Sequence, residues 1–257
     1  MMSEAPAKAP EPRPAATILL VRDDPFEVLM IRRHERQFFS SAVVFPGGTV
    51  DPSDHSAEWL DLVVDDEDLD PAARALRIAG FRETFEETGI LLARGADHSH
   101  VSHDGEADTF LDVVRAAGGR LHLSDLVPFA HWVTPTASPK RFDTHFFVCR
   151  TAPGQEGRSD GAETVSLEWA SPQAILDRAA AGETSLLLPQ GLNVARLGES
   201  RNSTEALAAA RARPRYTVQP QIEKREDGLY VIIPEEAGYG RVEKPADIPK
   251  LPERRQA

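Results

Sequence analysis

The chain has 257 residues and a formal net charge of −12, with 29 Lys plus Arg against 41 Asp plus Glu. This length fits one elaborated domain or two small ones, and a hydrophobic content of 41% supports a folded core. No apolar run approaches the roughly 18 residues that a membrane-spanning helix requires, so we expect no integral membrane protein. The acidic charge disfavours nucleic acid as a partner, because phosphate groups are themselves anionic.

The sequence offers few signals of location. The single cysteine, Cys149, excludes an internal disulfide and suits a reducing compartment. Residues 1–15 are rich in Pro and Ala, lack the apolar centre of a secretory signal, and are interpreted as a disordered leader. We therefore expect a cytoplasmic protein. Cys149 alternates within the run FFVCR and is predicted to be a buried small hydrophobe.

Strand-like runs lead from this leader into an acidic segment. The apolar stretches predict strands at residues 16–21, 26–31 and 42–45, the last closed by a Pro-Gly-Gly turn. Residues 51–70 then contain nine carboxylates and no Lys or Arg. The middle of this segment, AEWLDLVV, predicts one short helix between solvated flanks.

Helix signals are clearest in the next segment. Asp70 followed by Pro71 predicts an N-cap and a first helical residue, and Gly89 predicts the end of the helix. Residues 90–92, Ile-Leu-Leu, predict another short strand. The later elements are a helix at 109–117, strands at 126–134, 141–150 and 164–170, helical segments after Pro172, and a hairpin turning at Asp227-Gly228. Strands and helices in this mixed order predict an α/β or α+β sandwich.

The segment RETFEETGI, residues 82–90, carries the chemistry. On a helix, Glu83 lies three positions from Glu86 and four from Glu87, so the three carboxylates share one face. Like charges at this spacing repel, and the negative end of the helix dipole adds to the cost. A hard divalent cation compensates this charge, because Mg²⁺ and Mn²⁺ prefer carboxylate oxygens, water and phosphate. A solvated acidic helix face is the alternative that these residues alone leave open.

The same segment resembles the second half of the Nudix box, whose pattern is Arg-Glu-apolar-x-Glu-Glu-x-Gly-apolar. The first half of the box resembles FPGGTVDPSD, residues 45–54, with Gly48 as the leading glycine and Asp54 where the pattern expects Glu. Arg82 comes about 20 residues later than in the pattern, and such an insertion is tolerated because loop-closure entropy grows only slowly with length. We therefore interpret residues 51–70 as an insertion inside the box.

The resemblance implies a fold and its limits. The expected fold is a Nudix-type α/β/α sandwich with a mixed sheet, an acidic insertion, and a helical plus hairpin C-terminal extension. We expect the leader at residues 1–15, the Nudix domain at 16–185, and the extension, packed on that domain, at 186–257. The lead-in VLMIRRHERQFFSSAVVFPGGTVDPSD and the segment TPTASPKRFDTHFF are similar to a branch of the family that includes acyl-coenzyme A diphosphatases.

The resemblance also implies a metal site. The expected ligands are Glu83, Glu86 and Glu87, joined by the backbone carbonyl of Gly48, and the expected cofactor is Mg²⁺ or Mn²⁺. Arg82 is expected to hold one of these carboxylates in its ligating orientation. The side chains of these three glutamates and of Arg82 are expected to take part in catalysis.

Further residues are implied around this metal site. Several members of the family take a general base from a downstream loop, and Glu163 is the candidate by position. Arg141 has an alternative role, a structural ion pair with Asp143. The residues expected to bind the substrate phosphates are Gly47, Gly48, Arg32, Arg33 and Arg141.

By analogy with the family, the expected reaction is hydrolysis of the pyrophosphate bond in a nucleoside diphosphate linked to another moiety, foremost coenzyme A or acyl-coenzyme A. Gln37 and Ser41 stand where the coenzyme A signature has Arg and Gly, which leaves ADP-ribose, dinucleotides and capped RNA as alternative substrates. A non-catalytic nucleotide-sensing or scaffold module is another alternative, although it would not need three mutually repelling carboxylates. The expected partner is a small-molecule nucleotide, and a homodimer is left open.

Overall fold

The computed structural model describes residues 9–33, 42–98, 109–152, 154–158 and 164–245. The strands in these ranges are β1 (Arg13–Arg22), β2 (Glu27–Arg33), β3 (Val43–Val44), β4 (Gly47–Thr49), β5 (Val63–Val64), β6 (Leu121–His122), β7 (Val127–Val133), β8 (Phe142–Arg150), β9 (Thr164–Ala170), β10 (Thr217–Val218), β11 (Gln221–Arg225), β12 (Gly228–Ile233) and β13 (Val242–Pro245). The α-helices are α1 (Pro71–Thr88), α2 (Phe110–Ala116), α3 (Pro172–Ala180), α4 (Leu188–Leu197) and α5 (Ser203–Ala212). Among the described residues, no helix combines the length and apolar character that a bilayer crossing needs.

A mixed eight-stranded sheet forms the centre of the molecule. Its strands run in the order β10-β7-β8-β1-β2-β3, with β4 paired to β1 and β9 paired to β2. The pairs β1–β8 and β7–β10 are parallel, whereas the other pairs in this sheet are antiparallel. Strand β1 therefore lies in the middle and positions β4, which belongs to the first half of the box, beside it.

Apolar side chains cover both faces of this sheet. One cluster packs Phe81 of α1 and the apolar residues of α2 against Leu20 of β1. The other cluster packs Ile175 of α3 and Val194 of α4 against Leu19, the neighbouring residue of β1. Because successive side chains of a strand point to opposite faces, β1 contributes to both clusters. This three-layer arrangement confirms the predicted α/β/α sandwich with a mixed sheet.

Helix α1 begins and ends where the sequence predicts. The Asp70 side chain accepts a hydrogen bond from the Ala73 N–H at 2.7 Å, and Pro71 is the first helical residue. At the other end Gly89 has a φ of 68°, in the left-handed region that glycine adopts readily. Its N–H donates to the Phe85 carbonyl at 2.7 Å. These local signals fix the last two turns of α1, on which the three glutamates lie.

The acidic insertion folds differently from the prediction. The short helix predicted in AEWLDLVV forms only over its first five residues, as the 3₁₀ helix Ala57–Asp61, and its last two residues form β5. Another 3₁₀ helix, Pro52–His55, precedes this segment, and Ser56, with a ψ of 137°, ends that helix and caps Ala57–Asp61. Trp59 is 2% exposed, and its ring centroid lies 5.6 Å from that of Phe110. The insertion is therefore anchored in the hydrophobic core.

Two predicted boundaries also need correction. Strand β1 begins at Arg13 rather than at residue 16, since its parallel pairing with β8 extends to that residue, and the Arg13 N–H donates to the Arg141 carbonyl at 2.9 Å. Residues 13–15 thus belong to the sheet and not to a leader. The strand predicted at residues 90–92 is absent from the described structure. Ile90 and Leu91 are each 1% exposed, so core burial accounts for their apolar character.

The C-terminal part of the described chain packs against the central sheet. Strand β10 extends the sheet beside β7, and the predicted hairpin is formed by β11 and β12. Strand β13, which the sequence analysis did not foresee, adds a third strand to that hairpin. Ile233, Ala237 and Val242 are buried in the same cluster as α3 and α4. The extension is therefore joined to the sheet by shared apolar packing.

Candidate functional site

The three glutamates of α1 lie at different depths. Glu87 is 4% exposed, whereas the side chains of Glu83 and Glu86 are 18% and 48% exposed. The group therefore opens from the protein interior towards solvent. A cation can reach the outer carboxylates while the innermost one stays shielded from water.

Strand β4 brings two glycines against these carboxylates. The Gly47 N–H donates to Oε2 of Glu87 at 2.7 Å, which fixes the buried carboxylate. Gly47 has a φ of 150°, and a Cβ there would lie 2.3 Å from the Ala16 carbonyl oxygen, so only glycine fits. A Cβ on Gly48 would lie 2.3 Å from Oε2 of Glu83. Because Gly47 and Gly48 have no side chains, the carboxylates of Glu87 and Glu83 can approach the backbone of β4.

Arg82 connects the carboxylates to the first half of the box. Its Nη1 donates to Oε1 of Glu83 and to Oε2 of Glu86, both at 2.9 Å. Its Nη2 donates to the Thr49 carbonyl at 3.1 Å. Its Nε and Nη2 donate to the two oxygens of Asp54 at 2.9 and 3.0 Å. A planar guanidinium suits this task because its fork of donors holds several acceptors in fixed positions.

Asp54 is the buried anchor of this network. Its side chain is 0% exposed, and its Oδ2 also accepts the Asp51 N–H at 2.8 Å. Burial alone would lower the pKa of Arg82, but the hydrogen bond and charge of Asp54, and then the charges of Glu83 and Glu86, raise it above its ordinary value. Asp54 was absent from the predicted site residues. Its position six residues after the leading glycine of the box was the signal that identifies it.

Several predicted residues are placed elsewhere or lie outside the described part of the chain. Arg32 lies in β2, opposite Val43 of β3 and Ser166 of β9, and Arg33 is the last residue of that strand. Their roles in phosphate binding stay predictions. The candidate general base and the two positions that depart from the coenzyme A signature lie outside the described residues; they are Glu163, Gln37 and Ser41.

Arg141 is held by the protein backbone. Its Nε donates to the Thr134 carbonyl at 3.1 Å, and its Nη1 donates to the Pro10 carbonyl at 2.9 Å. The alternative role, an ion pair with Asp143, is wrong because that carboxylate lies against the imidazoles of His131 and His145 instead. Arg141 thus joins the start of β8 to the segment before β1, and its role in phosphate binding stays a prediction.

The residues of α1 and β4 fit a hard divalent cation. Their donors are carboxylate oxygens, the type that Mg²⁺ and Mn²⁺ prefer. Glu87 is oriented by the Gly47 N–H, and Glu83 and Glu86 are oriented by Arg82. Outer contacts of this kind commonly orient metal ligands in proteins. The close approach of Glu83 to Gly48 further gathers the donors at one place.

Comparisons with known proteins agree with this geometry. A family model described as the NUDT19 Nudix domain matches residues 64–197, just over half of the chain. The chain is 29% identical over 231 residues to the human protein named acyl-coenzyme A diphosphatase NUDT19, covering 67% of this chain and 60% of that protein. It is 27% identical over 256 residues to the Gallus gallus protein of the same name, covering 72% of this chain and 68% of that protein.

A solved structure extends the comparison to three dimensions. The crystal structure of a NUDIX hydrolase from Alicyclobacillus acidocaldarius is 32% identical in sequence, with a TM-score of 0.63. The match covers 79% of this chain and 99% of that one. The family model and this structural match point to the same group, and the chain belongs to the Nudix family, among the proteins that carry the NUDT19 Nudix domain.

Proposed function

We propose that this protein hydrolyses the pyrophosphate bond of coenzyme A or an acyl-coenzyme A, with Mg²⁺ or Mn²⁺ as cofactor. One water molecule adds across the bond and releases 3′,5′-ADP and the corresponding phosphopantetheine. The observation that carries the proposal is the convergence of Glu83 and Glu87 on the glycines of β4, with Glu86 joined to Glu83 through Arg82. A helix selected for stability alone would not carry three repelling carboxylates at its negative end.

The barrier to this reaction is mainly electrostatic, because a nucleophile must approach a doubly anionic pyrophosphate. Glu83, Glu86 and Glu87 would hold a divalent ion, and such an ion would supply positive charge to the phosphate oxygens and make water at the site more acidic. Arg82 keeps Glu83 and Glu86 in position, since its own position is fixed by the buried Asp54. Ligands held before the substrate arrives avoid the cost of reorganisation during the reaction.

The substrate class rests on the names of the relatives. Proteins from human and Gallus gallus that resemble this chain are named acyl-coenzyme A diphosphatase NUDT19. The chain spans 60% of the human protein, and Gln37 and Ser41 depart from the coenzyme A signature. ADP-ribose and dinucleotides are therefore the substrates against which the proposal is tested. A cytoplasmic location is part of the proposal, because the one cysteine, Cys149, is free and buried.

A substrate panel tests the proposal. The full chain is incubated with Mg²⁺ or Mn²⁺ and with coenzyme A, acyl-coenzyme A, ADP-ribose, diadenosine polyphosphates or capped RNA. Mass spectrometry identifies the products. We expect 3′,5′-ADP from the coenzyme A compounds, with kcat/KM at least about tenfold above that for the others, which corresponds to about 1.4 kcal/mol in the transition state. Faster hydrolysis of ADP-ribose would replace the substrate assignment, and no hydrolysis of any compound would favour a sensing module.

Variants of the glutamates test the assignment of the site. Glu83→Gln and Glu87→Gln are expected to lower kcat by about 100-fold or more, because each removes a charge that acts in the transition state. Glu67→Gln provides the matched control, since Glu67 is exposed in the insertion. Circular dichroism confirms that each variant is folded. An unchanged kcat in Glu87→Gln would show that the metal site is misplaced.

A further inference from the structure

A second cluster of metal-ligating side chains lies on β7 and β8. His131 of β7 is directly opposite His145 of β8, and Asp143 is two residues before His145 on the same face of the strand. One ligand atom of each residue lies within 4.8 Å of the others. The two imidazole rings stack with centroids 3.9 Å apart and planes inclined by 23°. The antiparallel pairing of the strands therefore builds a compact group of two imidazoles and one carboxylate.

The hydrogen bonds in this cluster suit a metal site. Nε2 of His131 contacts Oδ1 of Asp143, and Nε2 of His145 lies 3.6 Å from the same oxygen. The other ring nitrogen of His131, Nδ1, lies 2.8 Å from Oγ1 of Thr217 in β10. In this arrangement Nε2–H donates to the carboxylate and Nδ1 accepts from the Thr217 hydroxyl. The other neutral tautomer, with the proton on Nδ1 donated to Thr217, would free the lone pair of Nε2 for an ion. Histidines that bind metals commonly fix their second nitrogen in this way.

Solvent can reach all three ligands. The side chains of His131, Asp143 and His145 are 28%, 34% and 36% exposed. Nitrogen and oxygen ligands of Zn²⁺ lie about 2.0–2.2 Å from the ion. Because a metal ion binds in the plane of an imidazole ring, binding of one ion by both histidines requires the ring of His145 to turn out of the stack, which its partial exposure permits. The ion would also replace the contact between His131 and Asp143.

The cluster on β7 and β8 is separate from the glutamates of α1. His145 lies opposite Ala16 of β1, and Ala16 lies opposite Gly48 of β4 on the other side of that strand. Two interstrand steps, about 10 Å, therefore separate the backbones of His145 and Gly48. The two groups of ligands also differ in chemistry, because imidazole favours zinc, cobalt, nickel and copper, whereas an all-carboxylate group favours magnesium and manganese.

We propose that His131, Asp143 and His145 bind one zinc-class divalent ion, with Thr217 orienting the imidazole of His131. Three protein ligands leave at least one coordination position open to water or to an anionic group of a ligand. This site is independent of the proposed hydrolysis, because neither its ligands nor its preferred ion is shared with the glutamates of α1.

Metal titration of the full chain tests the proposal. Zn²⁺ binding is measured by calorimetry in a large excess of Mg²⁺, which occupies the carboxylate site. We expect one equivalent of Zn²⁺, an affinity at least about tenfold lower in His145→Gln, and an intermediate loss in Thr217→Val. His55→Gln is the matched control, since His55 is an exposed histidine outside the cluster. Equal affinity in the wild type and His145→Gln would overturn the proposal.

A second measurement avoids dependence on the folding of the histidine variants. The Glu87→Gln protein is loaded with one equivalent of Co²⁺ and studied by X-ray absorption. Two imidazole ligands in the cobalt shell are expected whether or not the protein hydrolyses nucleotides, so failure of the proposed function does not affect this result. A shell of oxygen atoms alone would contradict the proposed site.

Discussion

The buried ion pair between Asp54 and Arg82 gives the sharpest test of how the site is held together. Asp54→Asn removes the charge but keeps an oxygen that can accept the Asp51 N–H. Leaving one member of a buried pair without its partner costs about 3–5 kcal/mol. Arg82 retains Glu83 and Glu86 as acceptors, so we expect the lower end, about 3 kcal/mol. For a chain of this size that loss corresponds to a fall in Tm of about 6–12 °C.

Chemical and thermal unfolding followed by circular dichroism measure this loss. Asp68→Asn is the matched control, because it makes the same change of charge at an exposed position of the insertion. The Asp54→Asn protein is also expected to hydrolyse its substrate more slowly, since Arg82 would no longer be fixed beside the glutamates. If both variants unfold within about 0.5 kcal/mol of the wild type, the range typical of surface substitutions, Asp54 does not anchor Arg82.

Three further predictions concern the box, the insertion and the cysteine. Gly48→Ala is expected to displace Glu83, whose Oε2 would lie 2.3 Å from the new Cβ, and to lower kcat by about 100-fold; unchanged kinetics would contradict this. Trp59→Ala is expected to cost about 3–5 kcal/mol in urea unfolding, whereas Leu60→Ala, at a position 52% exposed, should cost little. Burial raises the pKa of Cys149 to about 12, so a thiol reagent at mildly alkaline pH should label it only after unfolding.

Helix α1 shows what the sequence predicts well. Asp70, Pro71 and Gly89 are local signals, each acting within a few residues through capping or backbone conformation, and the helix runs between them as expected. The spacing of the glutamates on one face follows from helical geometry alone. The arrangement of the three glutamates on α1 was therefore predictable before any contact between distant residues was known.

Features that depend on distant contacts were not predictable in this way. The approach of Asp54 to Arg82 requires the insertion to return the chain to α1, and no local pattern encodes that path. Strand β1 gains its first residues from pairing with β8, which lies far along the sequence. Residues 90–92 have the composition of a strand, but burial against the helices, rather than pairing with a neighbour, determines their place. Whether such a segment forms a strand depends on the packing and strand pairing at its place in the fold more than on the intrinsic preferences of its residues.

The contact between Asp54 and Arg82 has a consequence for finding proteins of this kind. The two residues are 28 positions apart in the chain, yet their side chains share two hydrogen bonds. A text pattern with a fixed gap between the halves of the motif would pass over this chain. A search that treats the gap as variable, and asks for an acidic residue after the glycines and an Arg-Glu pair before a helix end, would retrieve it along with others whose motif is divided by added secondary structure.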